Sequence, residues 1–227
     1  MDHEKNQDRW GPARYGMVNK QIFDRGVCDD RVLEAMRRVP RHEFVPISLT
    51  ARAYDDTPLR IGEGQTISQP YIVGLMTELL RISNDDRVLE VGTGSGYQTA
   101  VLAELARTVF TAEIRGELAQ RACFRLEKMG YKNINFRVSD GSAGWPEAAP
   151  FDCIVVTAGA CSIPPKLVEQ LRPGGRMVIP VGDQVHGQSL QLVTKHINEA
   201  IDIQDTVPVR FVGMVLSRGG AEDAAGS

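Results

Sequence analysis

The sequence lacks the features that would place it in several large protein classes. It has only four cysteines and four histidines in 227 residues, and neither type shows the spacing of a zinc site or a small disulfide framework. No apolar run approaches the roughly 18 residues that a membrane span needs, and the N-terminus has no apolar segment typical of a secretory signal. We therefore expect no metal, no membrane association and a cytoplasmic location.

An excess of positive charge is also missing. The net charge is -3 and the pI is about 5.9, whereas a general nucleic-acid binder needs a basic face to replace phosphate counterions. The hydrophobic fraction of 42% lies in the ordinary globular range, so a sizeable core can be buried. These values predict a globular protein without a nucleic-acid partner. We expect a monomer, with larger assemblies left open.

Four segments differ in their residue pattern. Residues 1–16 are polar and predict a flexible arm, and residues 219–227 are small and polar and predict a disordered tail. Residues 17–80 predict an extension of short helices and loops, and residues 81–218 predict an α/β core.

Two helices of the extension can be placed from their ends. Asp29 and Asp30 offer a cap for a helix that Pro40 ends, and Pro70 fits the first turn of a helix that runs to about Leu80. The apolar face expected for this second helix includes Ile72, Leu75, Met76 and Leu79.

Strands alternate with helices in the remainder of the chain. The predicted strands cover residues 88–91, 108–112, 134–138, 152–157 and 177–179, with a closing pair at 189–196 and 201–212. Helices are predicted between them, at about 97–106, 117–129 and from Pro164. Because parallel strands need helical crossovers, this order predicts an α/β fold with a doubly wound, mostly parallel, Rossmann-like sheet.

A glycine-rich turn, Gly92-Thr93-Gly94-Ser95-Gly96, follows the first strand of this core. In open α/β sheets ligands bind at this edge, and glycines let the backbone pass close to them. A dinucleotide site has the spacing G-x-G-x-x-G, but Tyr97 occupies the third glycine position here. Glu90, at the end of the strand, instead suits a cationic ligand such as S-adenosylmethionine. Taken alone, the motif could also be a plain tight turn.

Two acidic residues follow the next two strands. Glu113 comes about 20 residues after the glycine turn, where a carboxylate can accept both ribose hydroxyls of an adenosine. Asp140 can accept from the adenine amino group, while Gly141 leaves room for the ring. Taken singly, Glu113 could be a solvated charge and Asp140-Gly141 a common turn. Their joint placement at successive strand ends favours an adenosyl ligand.

Several segments resemble those of the protein-L-isoaspartate O-methyltransferase family. These segments are Met17–Ile22, Arg31–Met36, Val39–Pro46, Gly64–Tyr71, Val88–Gln98, Phe151–Ala158 and Leu171–Arg176. The resemblance covers roughly Met17 to Val212. The run Thr66-Ile67-Ser68-Gln69-Pro70 is the most specific part, because methyltransferases at large share only the glycine turn.

The resemblance implies methyl transfer from S-adenosylmethionine, which becomes S-adenosyl-L-homocysteine, to the α-carboxyl of L-isoaspartyl residues in damaged proteins and peptides. The ester then collapses to a succinimide that partly reopens to normal aspartate. The resemblance also implies that Gln65, Thr66 and Ile67 contact the donor and that Ser68 orients the substrate carboxylate. Ser68 could instead cap the helix that begins near Pro70, and both roles could hold at once.

Two positions depart from the family pattern. Val212-Gly213-Met214 stands where bacterial members have Val-Pro-Leu, and Cys161 stands where a proline is common. Both are expected near the substrate cleft, so they leave the details of substrate binding open.

Four other functions are weighed against this reading. A nicotinamide-dependent oxidoreductase shares the fold, but Tyr97 and Glu90 argue against it. A nucleic-acid amino methyltransferase would carry an Asn/Asp-Pro-Pro-aromatic loop where Thr157-Ala158-Gly159-Ala160 stands. An O-methyltransferase of a small-molecule carboxylate is the nearest enzymatic rival. The non-enzymatic rival is a degenerate protein that binds the donor without catalysis.

Overall fold

The computed structural model describes residues 8–183 and 185–215. Its α-helices are α1 (Gly11–Met17), α2 (Asp30–Arg38), α3 (Pro70–Leu80), α4 (Tyr97–Ala103), α5 (Gly116–Lys128) and α6 (Pro165–Gln170). Its strands are β1 (Leu59–Gly62), β2 (Gln65–Ile67), β3 (Arg87–Val91), β4 (Thr108–Glu113), β5 (Ile134–Val138), β6 (Phe151–Val156), β7 (Leu171–Asp183), β8 (Gly187–Lys195) and β9 (Ile201–Val209). No helix of the described residues is long and apolar enough to cross a membrane.

Seven strands form one sheet in the order β5-β4-β3-β6-β7-β8-β9. The first five strands in this order run parallel, and β8 and β9 are antiparallel to their neighbours. The chain order reverses at β3, which lies between β4 and β6, so the crevice for a ligand opens at the carboxyl end of β3. The prediction of a doubly wound, mostly parallel α/β sheet is confirmed.

Alternate residues of the parallel strands enter two separate hydrophobic cores. On one face, Val88 and Val155 pack together with the N-terminal helices, α3 and α4. On the other face, Leu89, Ile154 and Met177 belong to the core that includes residues of α6. Burial on both faces explains why β6 is a continuous apolar run from Cys153 to Val156.

The prediction of a flexible arm over residues 1–16 is wrong for residues 11–16, because these residues belong to α1. Arg14 and Met17 of this helix are buried, and Arg14 Nε donates to the Arg37 carbonyl at 2.5 Å. Trp10, just before the helix, stacks on the His42 ring with 5.4 Å between centroids. Such anchoring by single side chains leaves no periodic pattern in the sequence. Residues 1–7 and the tail predicted at 219–227 lie outside the described residues.

The predictions for the start of α2 and for the bounds of α3 are confirmed. The Asp29 side chain caps α2 by accepting from the amides of Arg31 and Val32, and α3 runs from Pro70 to Leu80 as expected. The buried face of α3 is different, because this helix is covered both by the sheet and by the N-terminal helices. Its buried residues are Pro70, Val73, Gly74, Met76, Thr77 and Leu80, so only Met76 of the predicted apolar face is fully buried.

Two strands differ from the prediction. Strand β7 extends well beyond the predicted residues 177–179, because its antiparallel ladder with β8 continues to Asp183. The short strand β2 was not predicted, and it pairs with β1 across a tight turn at residues 62–64 with positive φ angles. This small hairpin carries Gln65, Thr66 and Ile67 to the edge of the main sheet.

Gly74 of α3 lies where this helix packs closely on the N-terminal helical segments of the extension. A Cβ there would lie 2.8 Å from Cγ2 of the buried Ile22. We expect Gly74→Ala to destabilise the protein by about 1 kcal/mol net, because overpacking of about 1–3 kcal/mol outweighs the gain of roughly 1 kcal/mol in helix propensity. Urea unfolding measures the change.

Gly16→Ala is the matched control, because a Cβ at this helical glycine meets nothing within 4 Å. It should stabilise the protein by up to about 1 kcal/mol. Equal effects of the two substitutions would contradict the close packing assigned to Gly74.

Candidate active site

The glycine turn after β3 needs its glycines for conformation and for packing. Gly92, Gly94 and Gly96 have φ angles of 101°, 52° and 85°, which side chains rarely adopt. A Cβ at Gly92 would collide with the Thr157 hydroxyl, and one at Gly96 would lie 3.0 Å from Leu126 of α5. The turn is therefore pressed between the end of β6 and a neighbouring helix.

Glu113, at the end of β4, binds the backbone of the glycine turn. Its carboxylate accepts from the Gly94 amide at 2.8 Å and from the Arg115 amide at 3.0 Å, and the residue is 6% exposed. Each carboxylate oxygen has a further lone pair, so Glu113 can also accept hydrogen bonds from hydroxyl groups of a ligand.

The turn, Glu113 and the small hairpin border a cleft of about 770 Å³. The predicted site residues that line it are Gln65, Thr66, Ile67, Ser68, Gly92, Gly94, Glu113 and Gly141. Apolar side chains complete the walls, among them Val73, Val91, Ile114 and Met214. Met214 belongs to the segment that was expected near the cleft. Val73, Val91 and Ile114 were not predicted to line it, because nothing in their local pattern separates them from core residues.

Glu90 does not line this cleft, so the prediction that it faces a cationic ligand is wrong in its geometry. The residue is 0% exposed, and its Oε2 accepts from the Thr99 and Thr111 hydroxyls, each at 2.6 Å. Its Oε1 has no hydrogen-bond partner among the described residues. Burial raises the pKa of Glu90 to about 8, so the carboxyl is mostly protonated at neutral pH. Glu90 thus joins β3, β4 and α4 beneath the turn.

Asp140 binds a residue of its own loop, whereas Gly141 packs on β3. The Asp140 carboxylate accepts from the amide of Ser142 at 2.9 Å and from its hydroxyl at 2.7 Å, which caps a short 3-10 turn. A Cβ at Gly141 would collide with the side chain of Val91. Of the predicted pair, only Gly141 borders the cleft, and it is needed for packing on β3 rather than only for ring space.

A second cleft of about 990 Å³ adjoins the first. It lies between the β2–α3 segment and residues 208–212, and it shares Gln65, Thr66, Ser68 and Thr157 with the first cleft. Arg210 is the only ionisable residue among its described lining residues. The two clefts therefore meet at the segment that the sequence marked as most specific.

Ser68 lies half-buried where the clefts meet. Gln69 occupies the N-cap position of α3, and no side chain accepts a hydrogen bond from the first amides of this helix. The capping role predicted for Ser68 is therefore wrong. The Ser68 carbonyl accepts from Nη2 of Arg41 at 2.7 Å. Sequence reasoning missed Arg41, because no local signal shows that an arginine near Pro40 reaches a loop 27 residues away.

The chain segment after β9 crosses the cleft. Gly159 donates to the Val212 carbonyl at 2.9 Å, and Met214 donates to the Gly159 carbonyl at 2.7 Å. Gly213 and Met214 line the first cleft and Val212 the second, so this departure from the family pattern lies at the site as expected. Cys161 is exposed and is not among the lining residues of either cleft, so the expectation for it is wrong.

Comparison with known proteins gives consistent matches. The family profile of protein-L-isoaspartate(D-aspartate) O-methyltransferase matches residues 14–219. The chain is similar to the protein-L-isoaspartate O-methyltransferase of Opitutus terrae, with 55% identity over 199 residues that cover 88% of this chain and 85% of the relative. The enzyme of the same name from Geobacter metallireducens is 54% identical over 203 residues, which cover 89% and 94% of the two chains.

A solved structure is similar as well. It is a Plasmodium falciparum protein assigned as a protein-L-isoaspartate O-methyltransferase, crystallised in complex with S-adenosyl-L-homocysteine. The two structures agree with a TM-score of 0.77 at 25% identity, and the match covers 89% of this chain and 98% of that one.

The buried carboxyl of Glu90 predicts a specific pH dependence of stability. In the unfolded chain its pKa is near 4.5, and in the folded protein it is about 8. The stabilisation by the neutral carboxyl is therefore complete below pH 4.5 and is lost as the pH rises to about 8. Glu90→Gln keeps a neutral group, so wild type should lose stability relative to this variant over that range, by up to about 1.4 kcal/mol per pH unit.

Urea unfolding of both proteins across the pH range measures this difference. Glu169→Gln, which removes an exposed carboxylate, controls for the change in net charge. Parallel stability curves for wild type and Glu90→Gln would show that Glu90 is ionised in the folded protein.

Proposed function

Because the chain belongs to the protein-L-isoaspartate (D-aspartate) O-methyltransferase family, we propose that it transfers the methyl group of S-adenosylmethionine to the α-carboxylate of L-isoaspartyl residues in damaged proteins and peptides. The observation that carries this proposal is the meeting of two clefts at Ser68. One cleft suits an adenosyl donor, and the other suits a peptide.

The first cleft has the groups that S-adenosylmethionine requires. Glu113 accepts the ribose hydroxyls, Val91 and Ile114 provide apolar walls, and the glycine turn lets the backbone approach the donor. When bound, S-adenosylmethionine supplies an electrophilic methyl carbon on a sulfonium, and S-adenosyl-L-homocysteine is the product.

The chain needs no general base, because a substrate carboxylate is already ionised near neutral pH. The Ser68 hydroxyl donates one hydrogen bond to this carboxylate, which orients the nucleophile without neutralising it. Thr157 cannot do the same, since its hydroxyl already donates to the Gly92 carbonyl at 2.6 Å. The Thr66 hydroxyl is a second donor at the meeting point, on the exposed side of β2.

The second cleft favours a peptide over a small carboxylate. A small-molecule substrate needs no further space beyond the meeting point, whereas a polypeptide extends from the isoaspartyl residue in both directions. The second cleft, which continues from Ser68 along residues 208–212, provides that space. A cytoplasmic location, a monomeric state and the lack of a nucleic-acid partner stay predictions from the composition.

Methyl transfer to paired peptides tests the proposed function. Two synthetic peptides are identical except that one carries L-isoaspartate where the other carries L-aspartate. With labelled S-adenosylmethionine we expect base-labile label on the isoaspartyl peptide alone, because a methyl ester hydrolyses readily in mild base. Donor binding is followed in parallel by calorimetry with S-adenosyl-L-homocysteine. A protein that binds the donor and labels neither peptide, or both equally, would refute the substrate assignment.

Ser68→Ala should lower kcat for the isoaspartyl peptide about tenfold or more, because the carboxylate loses the donor that holds it in line. The affinity for S-adenosyl-L-homocysteine and the free energy of unfolding should change little, since the Ser68 hydroxyl caps no helix. Ser48→Ala, at an exposed serine of the extension, is the matched control. Full turnover by the Ser68 variant would contradict its role.

A further inference from the structure

Arg41 is a fully buried arginine in the short helical segment that follows Pro40. It is 0% exposed. Its Nε donates to the carbonyl of Ala53 at 2.8 Å, and its Nη2 donates to the carbonyl of Ser68 at 2.7 Å. One guanidinium group thus joins a loop of the extension to the residue at which the two clefts meet.

The same guanidinium also contacts the donor side of the site. Its central carbon lies 4.8 Å from the centroid of the Tyr97 ring, within the range of a cation–π contact. Tyr97 is the first residue of α4, directly after the glycine turn, and it lines the donor cleft. Arg41 therefore lies between the substrate loop and the start of the donor-binding helix.

Arg41 forms no ion pair there, and the Asp56 carboxylate acts on it only from beyond ion-pair distance. Among the described residues no carboxylate forms an ion pair with it. Burial lowers the pKa of Arg41 to about 10, so the group is still charged at neutral pH. Arg14, the other buried arginine, pairs with Asp8. A buried charge without a counter-ion costs free energy, so stability alone does not explain an arginine at this position.

Two buried polar atoms beside this contact also lack a hydrogen bond of normal geometry. They are Nη1 of Arg41 and the hydroxyl of Tyr97. Both groups are enclosed, so neither is satisfied by bulk water. The arrangement is held by shape and by the two carbonyl bonds rather than by a complete polar network.

We propose that Arg41 is a positioning residue, whose guanidinium fixes the backbone of Ser68 relative to Tyr97 and the glycine turn, so that the substrate carboxylate lies in line with the methyl donor. This inference rests on the proposed function. An arginine suits the task because its planar fork can donate to two carbonyls and lie on a ring at once. The single ammonium of a lysine cannot replace both donors in this geometry.

Arg41→Lys and Arg41→Met test the proposal. Lysine keeps the charge and loses the fork, whereas methionine removes the charge and leaves no unpaired ammonium in the core. We expect each to lower kcat for the isoaspartyl peptide about 10- to 100-fold, because a small misplacement of the reacting atoms has an effect of this size. KM for the peptide and the affinity for S-adenosyl-L-homocysteine should change less than about threefold.

Arg14→Lys is the matched control for a change at a buried arginine. Its guanidinium binds the Arg37 carbonyl and Asp8, and Arg14 lines neither cleft. We expect this variant to lose stability while it keeps the wild-type kcat. Hydrogen–deuterium exchange gives a readout that does not depend on turnover. In both Arg41 variants the exchange rate should rise relative to wild type more in residues 65–69 than elsewhere in the chain.

Several outcomes would overturn the proposal. One such outcome is a folded Arg41 variant with the kcat of wild type. Another is a variant in which donor affinity and stability fall together with kcat. Failure of both variants to fold, beside a folded Arg14→Lys protein, would make Arg41 a part of the general scaffold. A wild-type protein without isoaspartyl activity would refute the proposed function, and the exchange data would then decide separately whether Arg41 holds the segment at residues 65–69.

Discussion

The site depends on how closely the backbone after β3 approaches its neighbours. Gly92 lies against Thr157 at the end of β6, the Gly94 amide donates to Glu113 at the end of β4, and the loop after β5 reaches Val91 through Gly141. Each contact joins the end of one parallel strand to another. The cleft therefore exists only while these strand ends keep their register, which the backbone ladders of β3 with β4 and β6 fix.

A buried chain of hydroxyl groups stiffens this turn from below. The Thr111 hydroxyl is hydrogen-bonded both to Glu90 and to the Thr93 hydroxyl, each at 2.6 Å. The chain thereby connects a residue of the turn to an enclosed carboxyl, with Thr99 of α4 as the second donor. Glu90 influences the donor site through the shape of the turn and not by facing the cleft.

The N-terminal extension is part of the same hydrophobic core as the sheet. Met17 and Met36 belong to one cluster with Val88 and Tyr97, so the extension cannot shift without repacking the core. This rigidity gives the hairpin and the start of α3 a fixed place beside the glycine turn. The first and the second cleft are both built on this common core.

The alternation of strands and helices in residues 81–218, the glycine turn and the place of Glu113 at the cleft could all be predicted from the residue pattern, because strand alternation, glycine conformation and strand ends are local properties. The enclosure of Glu90, the capping by Asp140 of its own loop and the contact of Arg41 with Ser68 became apparent only in the folded chain. The surroundings of a side chain depend on which distant segments pack against it, and no spacing along one chain records those contacts.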